Sequence, residues 1–232
     1  MPDQQHPSED LRSYGRRRTR APSARQQGLW REVLPRVAIP VEAPALVNLP
    51  SLFSTPVREV WLEIGFGGGE HLVWQAKASR DVGLLGCEPF EDGVIKVLNA
   101  IEVDGLDNVR VLAGDARPLL RLLPDGGIGR VFVLFPDPWP KKRHHKRRLV
   151  SSATLVEIAR ILQPGGELRM ATDAPEYACA MLHAASHNKA LRWTAQGPQD
   201  WRRRPPDWPQ TRYEAKAAAA GRRCYFLRFA RI

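Results

Sequence analysis

The stretch VREVWLEIGFGGGEHLVWQAKAS, residues 57–79, decides the fold of this chain. A mostly apolar run leads into a glycine-rich loop, and a helix-like segment follows at once. Apolar runs that do not alternate with polar residues are typical of strands covered on both faces, as in parallel sheets. Glycine lets the backbone turn tightly beside a ligand. The stretch therefore predicts a strand, a binding loop and a helix, which together begin an α/β domain.

The same order of apolar run and helix-like segment recurs four more times. The later runs are VGLLGCE, NVRVLAGD, GRVFVLFPD and GELRMATD. Five such alternations predict parallel βαβ units. Two further runs, LRWTAQ and RCYFLRFARI, are candidate strands. We therefore predict an α/β fold with a doubly wound, mostly parallel seven-stranded sheet, in a domain that spans residues 41–232.

The charge balance favours a polyanionic partner. The chain of 232 residues has 35 Lys and Arg against 25 Asp and Glu, a formal net charge of +10. Such an excess says little about fold but suits nucleic acid. Residues 1–40 are polar and basic without apolar periodicity, which predicts a flexible N-terminal arm.

Several classes of protein are not expected. No window of about 18 consecutive apolar residues occurs, so we predict no membrane span. The first residues lack an apolar core, so we predict no secretory signal. The three cysteines are far apart and show no CxxC spacing, which favours a reduced, cytoplasmic compartment. His144 and His145 have no carboxylate or cysteine at ligand spacing, so we predict no metal site.

Acidic residues recur where the predicted strands end. They are Glu63, Glu88, Asp115, Asp137 and Asp173. A single acid there is common, because Asp favours turns and helix N-caps, and that role stays open for each one. Repetition along one edge of the sheet is harder to explain by caps. Ligands of open α/β sheets bind beyond the carboxyl ends of the strands, so the acids predict a binding cleft there.

The charge of these acids favours S-adenosylmethionine over NAD. In the loop of residues 65–70, Glu70 stands where a dinucleotide fingerprint has its third glycine. A pyrophosphate beside this loop would be repelled by Glu63. S-adenosylmethionine instead carries a sulfonium, an ammonium group and hydroxyl donors. We expect Glu88 at its ribose, Asp115 at its adenine and Glu63 at its ammonium group.

The segment FPDPWPKKRHHKRR, residues 135–148, predicts the acceptor side of the site. Its prolines stiffen the turn that carries Asp137. Trp139 could stack on a base, although it could also plug the end of the sheet. The basic residues 141–148 suit phosphate contacts, although a charge run is usually a solvated surface. Residues 201–208 and 16–18 could extend the basic surface.

These motifs together resemble a known family. The motifs are LEIGFGGGEHL, GCEPF, NVRVLAGDA, FPDPWPKKRHHKRRLV, LQPGGELRMATDAPEY and TRYEAKAAAAGR. They are similar to those of the bacterial tRNA (guanine-N7-)-methyltransferases, class I enzymes that use S-adenosylmethionine. The resemblance implies a Rossmann-like fold, a tRNA partner, a monomer or homodimer, and methylation of N7 of a variable-loop guanosine. Tyr213, where the family often has Phe, is a local departure.

The resemblance also implies three groups of site residues. Those expected to bind the cofactor are Glu63, Gly65, Gly67, Glu88, Asp115, Ala116 and Asp137, of which Asp137 is also the catalytic candidate. Those expected to bind the guanosine are Lys141, Asp173, Thr211, Arg212, Tyr213 and Glu214. Those expected to contact RNA are Arg143, His144, His145, Lys146, Arg147 and Arg148.

The acceptor atom determines the expected mechanism. N7 of guanine has a lone pair and no hydrogen, so a general base is not needed, and we assign Asp137 to positioning. Glu214 and Asp173 could accept hydrogen bonds from the N1–H and amine of guanine. Two alternatives remain: a methyltransferase that acts on an exocyclic amine, and an RNA-binding module without activity.

Overall fold

The computed structural model describes residues 21–42 and 46–232, which form an α/β fold around one seven-stranded sheet. The strand order is β3-β2-β1-β4-β5-β7-β6, and β7 alone runs antiparallel to its neighbours. The strands are β1 Glu59–Ile64, β2 Val82–Cys87, β3 Val109–Leu112, β4 Ile128–Leu134, β5 Leu162–Thr172, β6 Leu191–Trp193 and β7 Tyr225–Arg231. The predicted doubly wound, mostly parallel sheet is confirmed.

Helices cover both faces of the sheet. They are α1 Ala24–Gly28, α2 Leu34–Val37, α3 Glu70–Ala78, α4 Glu91–Asp104, α5 Ala116–Leu122, α6 Ser152–Ile161, α7 Pro175–Ser186, α8 Gln199–Arg202 and α9 Arg212–Ala219. A π-helix, Leu29–Val33, joins α1 to α2, and short 3₁₀ helices span Leu49–Leu52 and Lys142–Arg147. Within the described ranges, none of the helices is long and apolar enough to cross a bilayer.

The apolar core lies in two layers, one on each face of the sheet. Along β4, Val131 and Val133 pack into one layer, whereas Phe132 and Leu134 pack into the other. Successive side chains of a strand point to opposite faces, so a strand covered on both sides needs apolar residues throughout. The continuous apolar runs of the sequence have this cause.

The strand order reverses between β1 and β4, which are parallel neighbours. The chain leaves β1 towards β2 and β3 on one side, and β4 leads to β5 on the other. At such a switch point the loops after the two central strands diverge and leave a crevice beyond their carboxyl ends. The crevice lies above Ile64 and Leu134.

The N-terminal region differs from the predicted arm over part of its length. Residues 24–37 are helical, and Leu29, Val33 and Val37 are buried in the layer that also contains α4. The amide of Ile39 donates to the carbonyl of Val111 at 3.0 Å, beside β3. This part therefore packs on the domain. Residues 1–20 lie outside the described residues, so the arm stays a prediction there.

Candidate active site

A cavity of about 390 Å³ opens at the switch point. It is lined by the glycine loop, by the ends of β2 and β3, by the turn after β4 and by the start of α9. Among the residues of its wall are Gly65, Gly67, Glu88, Asp115, Ala116, Asp137, Trp139, Arg147 and Tyr213. Of the seven predicted cofactor residues, six line this cavity, Asp137 from the turn after β4, and Glu63 is the exception.

The glycine loop is shaped by a backbone conformation that favours glycine. Gly65 has a φ of 75° and Gly67 a φ of 56°, both in the left-handed region. The amide of Gly67 donates to a carboxylate oxygen of Glu88 at 2.7 Å. The loop at the end of β1 is therefore tied to the end of β2, its neighbour in the sheet.

Gly93 in α4 is a site residue that the sequence analysis missed. A Cβ atom at this position would lie 2.0 Å from the carbonyl oxygen of Gly67. Helix α4 can approach the loop only because residue 93 has no side chain. A signal was present, since glycine inside a helix costs about 1 kcal/mol relative to alanine and usually indicates a packing requirement.

Glu88 is buried at the end of β2 and held by two backbone amides. One carboxylate oxygen accepts from Gly67 at 2.7 Å and the other from Phe90 at 2.9 Å. Burial raises the pKa of Glu88, and the two amides only partly offset it. The charge of Asp137 across the cavity adds to the increase in pKa. The carboxylate of Glu88 is thus fixed in orientation, and too little positive charge surrounds it to offset its burial.

Asp115 has both of the roles that the sequence left open. It caps α5 by accepting from the amide of Arg117 at 2.9 Å, and it also lines the cavity. The Arg117 guanidinium forms a salt bridge with the same carboxylate. Burial opposes ionisation of Asp115, but the hydrogen bonds from Arg117 outweigh it and lower the pKa. Asp115 is therefore ionised and already paired.

Glu63 lies apart from the wall of the main cavity. It is 3% exposed, borders a much smaller neighbouring cavity, and its Oε2 lies 2.8 Å from Nδ1 of His71. The other ring nitrogen of His71 lies 3.1 Å from the side-chain amide of Gln75, which also donates to the carbonyl of Asp207. The structure thus places Glu63 in a buried polar chain with His71 and Gln75, and its contact with the cofactor stays a prediction.

The turn after β4 holds Asp137 between two residues in an unusual conformation. Phe135 and Trp139 have φ values of 52° and 42°, which are uncommon for residues other than glycine. Backbone conformations of this kind persist where the surroundings over-determine them, often at functional sites. The carboxylate of Asp137 faces the cavity, and desolvation raises its pKa.

Trp139 is held by the basic segment that follows it. The guanidinium of Arg147 lies 5.0 Å from the centre of the indole ring, and His144 meets the ring edge-on at 5.8 Å. Arg147 and Trp139 both line the cavity, so Trp139 does not merely plug the end of the sheet. Arg143 and Lys146 are exposed beside them, and His145 is half-buried.

Arg148 differs from the rest of the predicted RNA-contacting residues. Its side chain is 6% exposed and forms an ion pair with Glu176. A guanidinium buried in this way does not present its charge to a phosphate on the surface. Its burial and ion pair do not favour the expected RNA contact of Arg148, which stays a prediction, and the exposed basic residues of this segment precede it.

The predicted guanosine-binding residues divide into two sets. Tyr213 lines the cavity, and its ring lies parallel to that of Phe135, with centroids 6.5 Å apart. Thr211 caps α9 by accepting from the amide of Glu214. The side chain of Arg212 lies over the ring of Tyr213. This set brings an aromatic pair to the rim of the cavity.

The second set does not reach the cavity wall. Asp173 accepts from Arg222 at 2.8 Å, and Glu214 accepts from Arg204 at 3.1 Å. Lys141 is exposed on the turn and also lies outside the wall. Guanine contacts by the two carboxylates would therefore have to compete with these arginines.

In the second basic patch, Trp201 stacks on Tyr225 with centroids 6.1 Å apart, and Arg202 lies over the indole of Trp201. Residues 16–18 lie outside the described residues. Within residues 21–42 and 46–232, no group of three or more His, Cys, Asp or Glu side chains is arranged to hold a metal ion.

Solved structures of low sequence identity share this fold. The 16S rRNA methyltransferase KamB superposes with a TM-score of 0.54 at 17% identity, covering 76% of this chain and 89% of that protein. TrmN from Thermus thermophilus superposes with a TM-score of 0.54 at 16% identity, covering 78% of this chain and 46% of that protein. These similarities show a methyltransferase fold, which agrees with the predicted class I fold.

Comparisons of sequence are more specific. A family model described as "Putative methyltransferase" matches residues 57–227. The tRNA (guanine-N(7)-)-methyltransferase of Rhodospirillum rubrum is 49% identical, over 100% of this chain and 91% of that protein. The enzyme of the same name from Chelativorans sp. is 42% identical over 99% of both chains. The chain therefore belongs to the tRNA (guanine-N7-)-methyltransferase family.

Proposed function

We propose that this protein transfers a methyl group from S-adenosylmethionine to N7 of a guanosine in tRNA, in the variable loop. The observation that carries the proposal is the joining of two unlike surfaces at one cavity. Glu88 and Asp115 supply acceptors on one side, and Trp139 with Arg147 supplies an aromatic and basic rim on the other. Membership of the family supports the same reaction.

The acidic side fits the cofactor. Glu88 is fixed by amides on both oxygens, and its remaining lone pairs suit the two hydroxyls of a ribose. Asp115, with Ala116 beside it, suits the adenine edge. S-adenosylmethionine, when bound, supplies an electrophilic methyl group on a cationic sulfur. A negative, partly dry wall stabilises such a cation, which gives the raised pKa of Glu88 a functional reason.

The opposite side fits a purine. Phe135 and Tyr213 form a parallel aromatic pair at the rim, and Trp139 stands beside Asp137. We assign these rings to stacking and Asp137 to orienting the base. Because N7 carries no proton, catalysis can come mainly from holding N7 in line with the methyl–sulfur bond. Asp137 therefore does not need to act as a base.

The exposed basic residues fit the phosphates around the presented base. Lys141, Lys142, Arg143 and Lys146 are exposed on or beside the 3₁₀ helix at the mouth of the cavity. Contacts of this kind position a nucleic acid without reading its sequence. The choice of guanosine must therefore come from the cavity and from the shape of the tRNA.

The test is a product map. The protein is incubated with unmodified tRNA and methyl-labelled S-adenosylmethionine, and the nucleosides are then separated. We expect 7-methylguanosine. A matched substrate carries 7-deazaguanosine at the labelled position, where carbon replaces N7, and should accept no label. An N2- or N6-methyl product would instead indicate an exocyclic amine acceptor. An absence of turnover with saturable tRNA binding would indicate an RNA-binding module.

The proposed reaction also implies a cellular compartment and an oligomeric state. A tRNA substrate implies a cytoplasmic enzyme, and fractionation of cells that express a tagged chain would check it. The protein is expected to act as a monomer or homodimer, which light scattering of the purified protein with and without tRNA would distinguish.

A further inference from the structure

The side chain of Arg148 is enclosed by groups that leave no room for a phosphate. Its Nε donates to the carbonyl of Pro138 at 2.9 Å, and its Nη2 lies 3.5 Å from the carbonyl of Trp139. Two parallel bonds join the guanidinium to the carboxylate of Glu176, at 3.0 and 2.5 Å. The ring of Tyr177 covers one face at 4.7 Å. The planar fork of arginine is used on nearly every edge.

The groups that Arg148 holds belong to the turn that carries Asp137. Pro136, Pro138 and Pro140 have no amide hydrogen, so this turn can donate few backbone bonds of its own. Trp139 is also in a left-handed conformation that is costly for its residue type. Arg148 binds the two carbonyls that directly follow Asp137, and so supplies from outside the constraint that the turn lacks.

On its other side, Arg148 is bound by helix α7. Glu176 and Tyr177 lie in the first turn of α7, and Tyr177 is fully buried. The hydroxyl of Tyr177 accepts from the amide of Val150, two residues beyond Arg148. The guanidinium of Arg148 and the chain just after it are thus both joined to α7.

We propose that Arg148 is a positioning residue, which clamps the Asp137 turn to α7 through Glu176 and thereby sets the orientation of the acceptor base. The proposal rests on the proposed function, since it concerns the same reaction. Arg148 follows seven residues of a charge run, yet contributes to turnover and not to the affinity for tRNA.

The main variant is Arg148→Lys, which keeps the charge and loses the fork. We expect kcat at saturating tRNA and cofactor to fall about 10- to 100-fold, because small misplacement of reacting groups has effects of this size. The Kd for tRNA and its salt dependence should stay within about twofold of the wild type, since one charge is retained. Glu176→Gln should lower kcat by a smaller factor, and the double variant should be little worse than Arg148→Lys.

The matched control is Arg143, an exposed residue of the same run. Arg143→Gln should weaken tRNA binding and reduce the log–log salt slope by about 0.7 to 0.9, which Arg148→Lys should not do. The opposite pattern, a reduced slope in Arg148→Gln with kcat unchanged in Arg148→Lys, would overturn the proposal.

Two measurements separate positioning from loss of fold and from failure of the proposed reaction. Calorimetric titration with S-adenosylhomocysteine counts intact sites, so that kcat refers to folded enzyme. In protein labelled with 5-fluorotryptophan, the signal that Trp139→Phe removes should broaden or split in Arg148→Gln and stay single in Arg143→Gln. The fluorine result needs no turnover, so a wild type that makes no 7-methylguanosine would refute the reaction and still test the clamp. An unchanged Trp139 signal would refute the clamp.

Discussion

The two sides of the cavity are held in place by different means. On the acidic side, backbone amides hold the carboxylates: Glu88 accepts from Gly67 and Phe90, and Asp115 accepts from Arg117. On the basic side, the turn around Asp137 is held by Arg148, ten residues from the carbonyl that it binds. The carboxylates of the cofactor side are therefore held by backbone amides beside the strand ends, whereas the acceptor side depends on one arginine side chain that joins its turn to α7.

This difference predicts where substitutions act. Changes on the acidic side should alter cofactor affinity with little effect on tRNA. Changes on the acceptor side should alter turnover with little effect on the cofactor. Three substitutions test this division, and a fourth tests the buried charge of Asp137.

The largest effect is expected for Asp137→Ala. Loss of the orienting carboxylate should lower kcat by about 1000-fold, the upper range for removing one preorganised group. Affinity for S-adenosylhomocysteine should change little, because Glu88 and Asp115 are retained. Single-turnover rates and calorimetry measure the two quantities, and circular dichroism controls for the fold. Wild-type turnover in this variant would remove Asp137 from the mechanism.

The next largest effect is expected for Glu88→Ala. Hydrogen bonds to a charged group contribute about 1.5–3 kcal/mol, so the cofactor Kd should rise about 10- to 100-fold. The kcat at saturating cofactor should fall much less. Glu102→Ala, on the exposed part of α4, is the control and should leave the Kd unchanged. An unaltered Kd in Glu88→Ala would show that the acidic wall does not bind the cofactor.

Gly93→Ala tests the contact beneath the glycine loop. The added methyl would meet the carbonyl oxygen of Gly67, so the loop must shift. We expect cofactor affinity to fall about tenfold and stability by about 1–3 kcal/mol, as for overpacking. Gly28→Ala is a matched helical control, because its Cβ would meet nothing within 4 Å. Equal results for the two variants would mean that α4 does not support the loop.

The smallest effect is a gain of stability in Asp137→Asn. Among the described residues, none donates a hydrogen bond to this carboxylate, and desolvation raises its pKa. The folded state therefore binds the proton more tightly than the unfolded chain, and ionisation costs stability above the raised pKa. The neutral amide should raise the unfolding midpoint on the order of a degree or two at neutral pH. The difference should vanish as the pH falls through that pKa; a constant difference would contradict the assignment.

The same contrast explains how far the sequence could predict the molecule. The continuous apolar runs were sufficient to predict the sheet, because a strand that is covered on both faces needs apolar residues throughout its length. The acids at the strand ends were found for a similar reason, and Glu88 and Asp115 do line the cavity. Their positions follow from local order along the chain.

The features that the sequence did not predict depend on how side chains pack against other elements. Arg147 and Arg148 are adjacent and identical in type, yet one lines the cavity and the other is buried against Glu176. Glu63 lies at a strand end like the other acids, but its carboxylate is buried and lies within hydrogen-bonding distance of His71. The spacing of the residues predicts neither outcome, because each depends on which helix packs against the strand end.

The acidic wall of the cavity also affects the reactivity of Cys87. This buried thiol lines the cavity, and burial, with the charges of Asp115 and Glu88, raises its pKa far above the ordinary range. A thiolate is a strong nucleophile, whereas a thiol is not. An enzyme that handles an alkylating agent is thus protected from modifying its own wall. Thiol reagents should label the exposed Cys179 first and leave Cys87 intact.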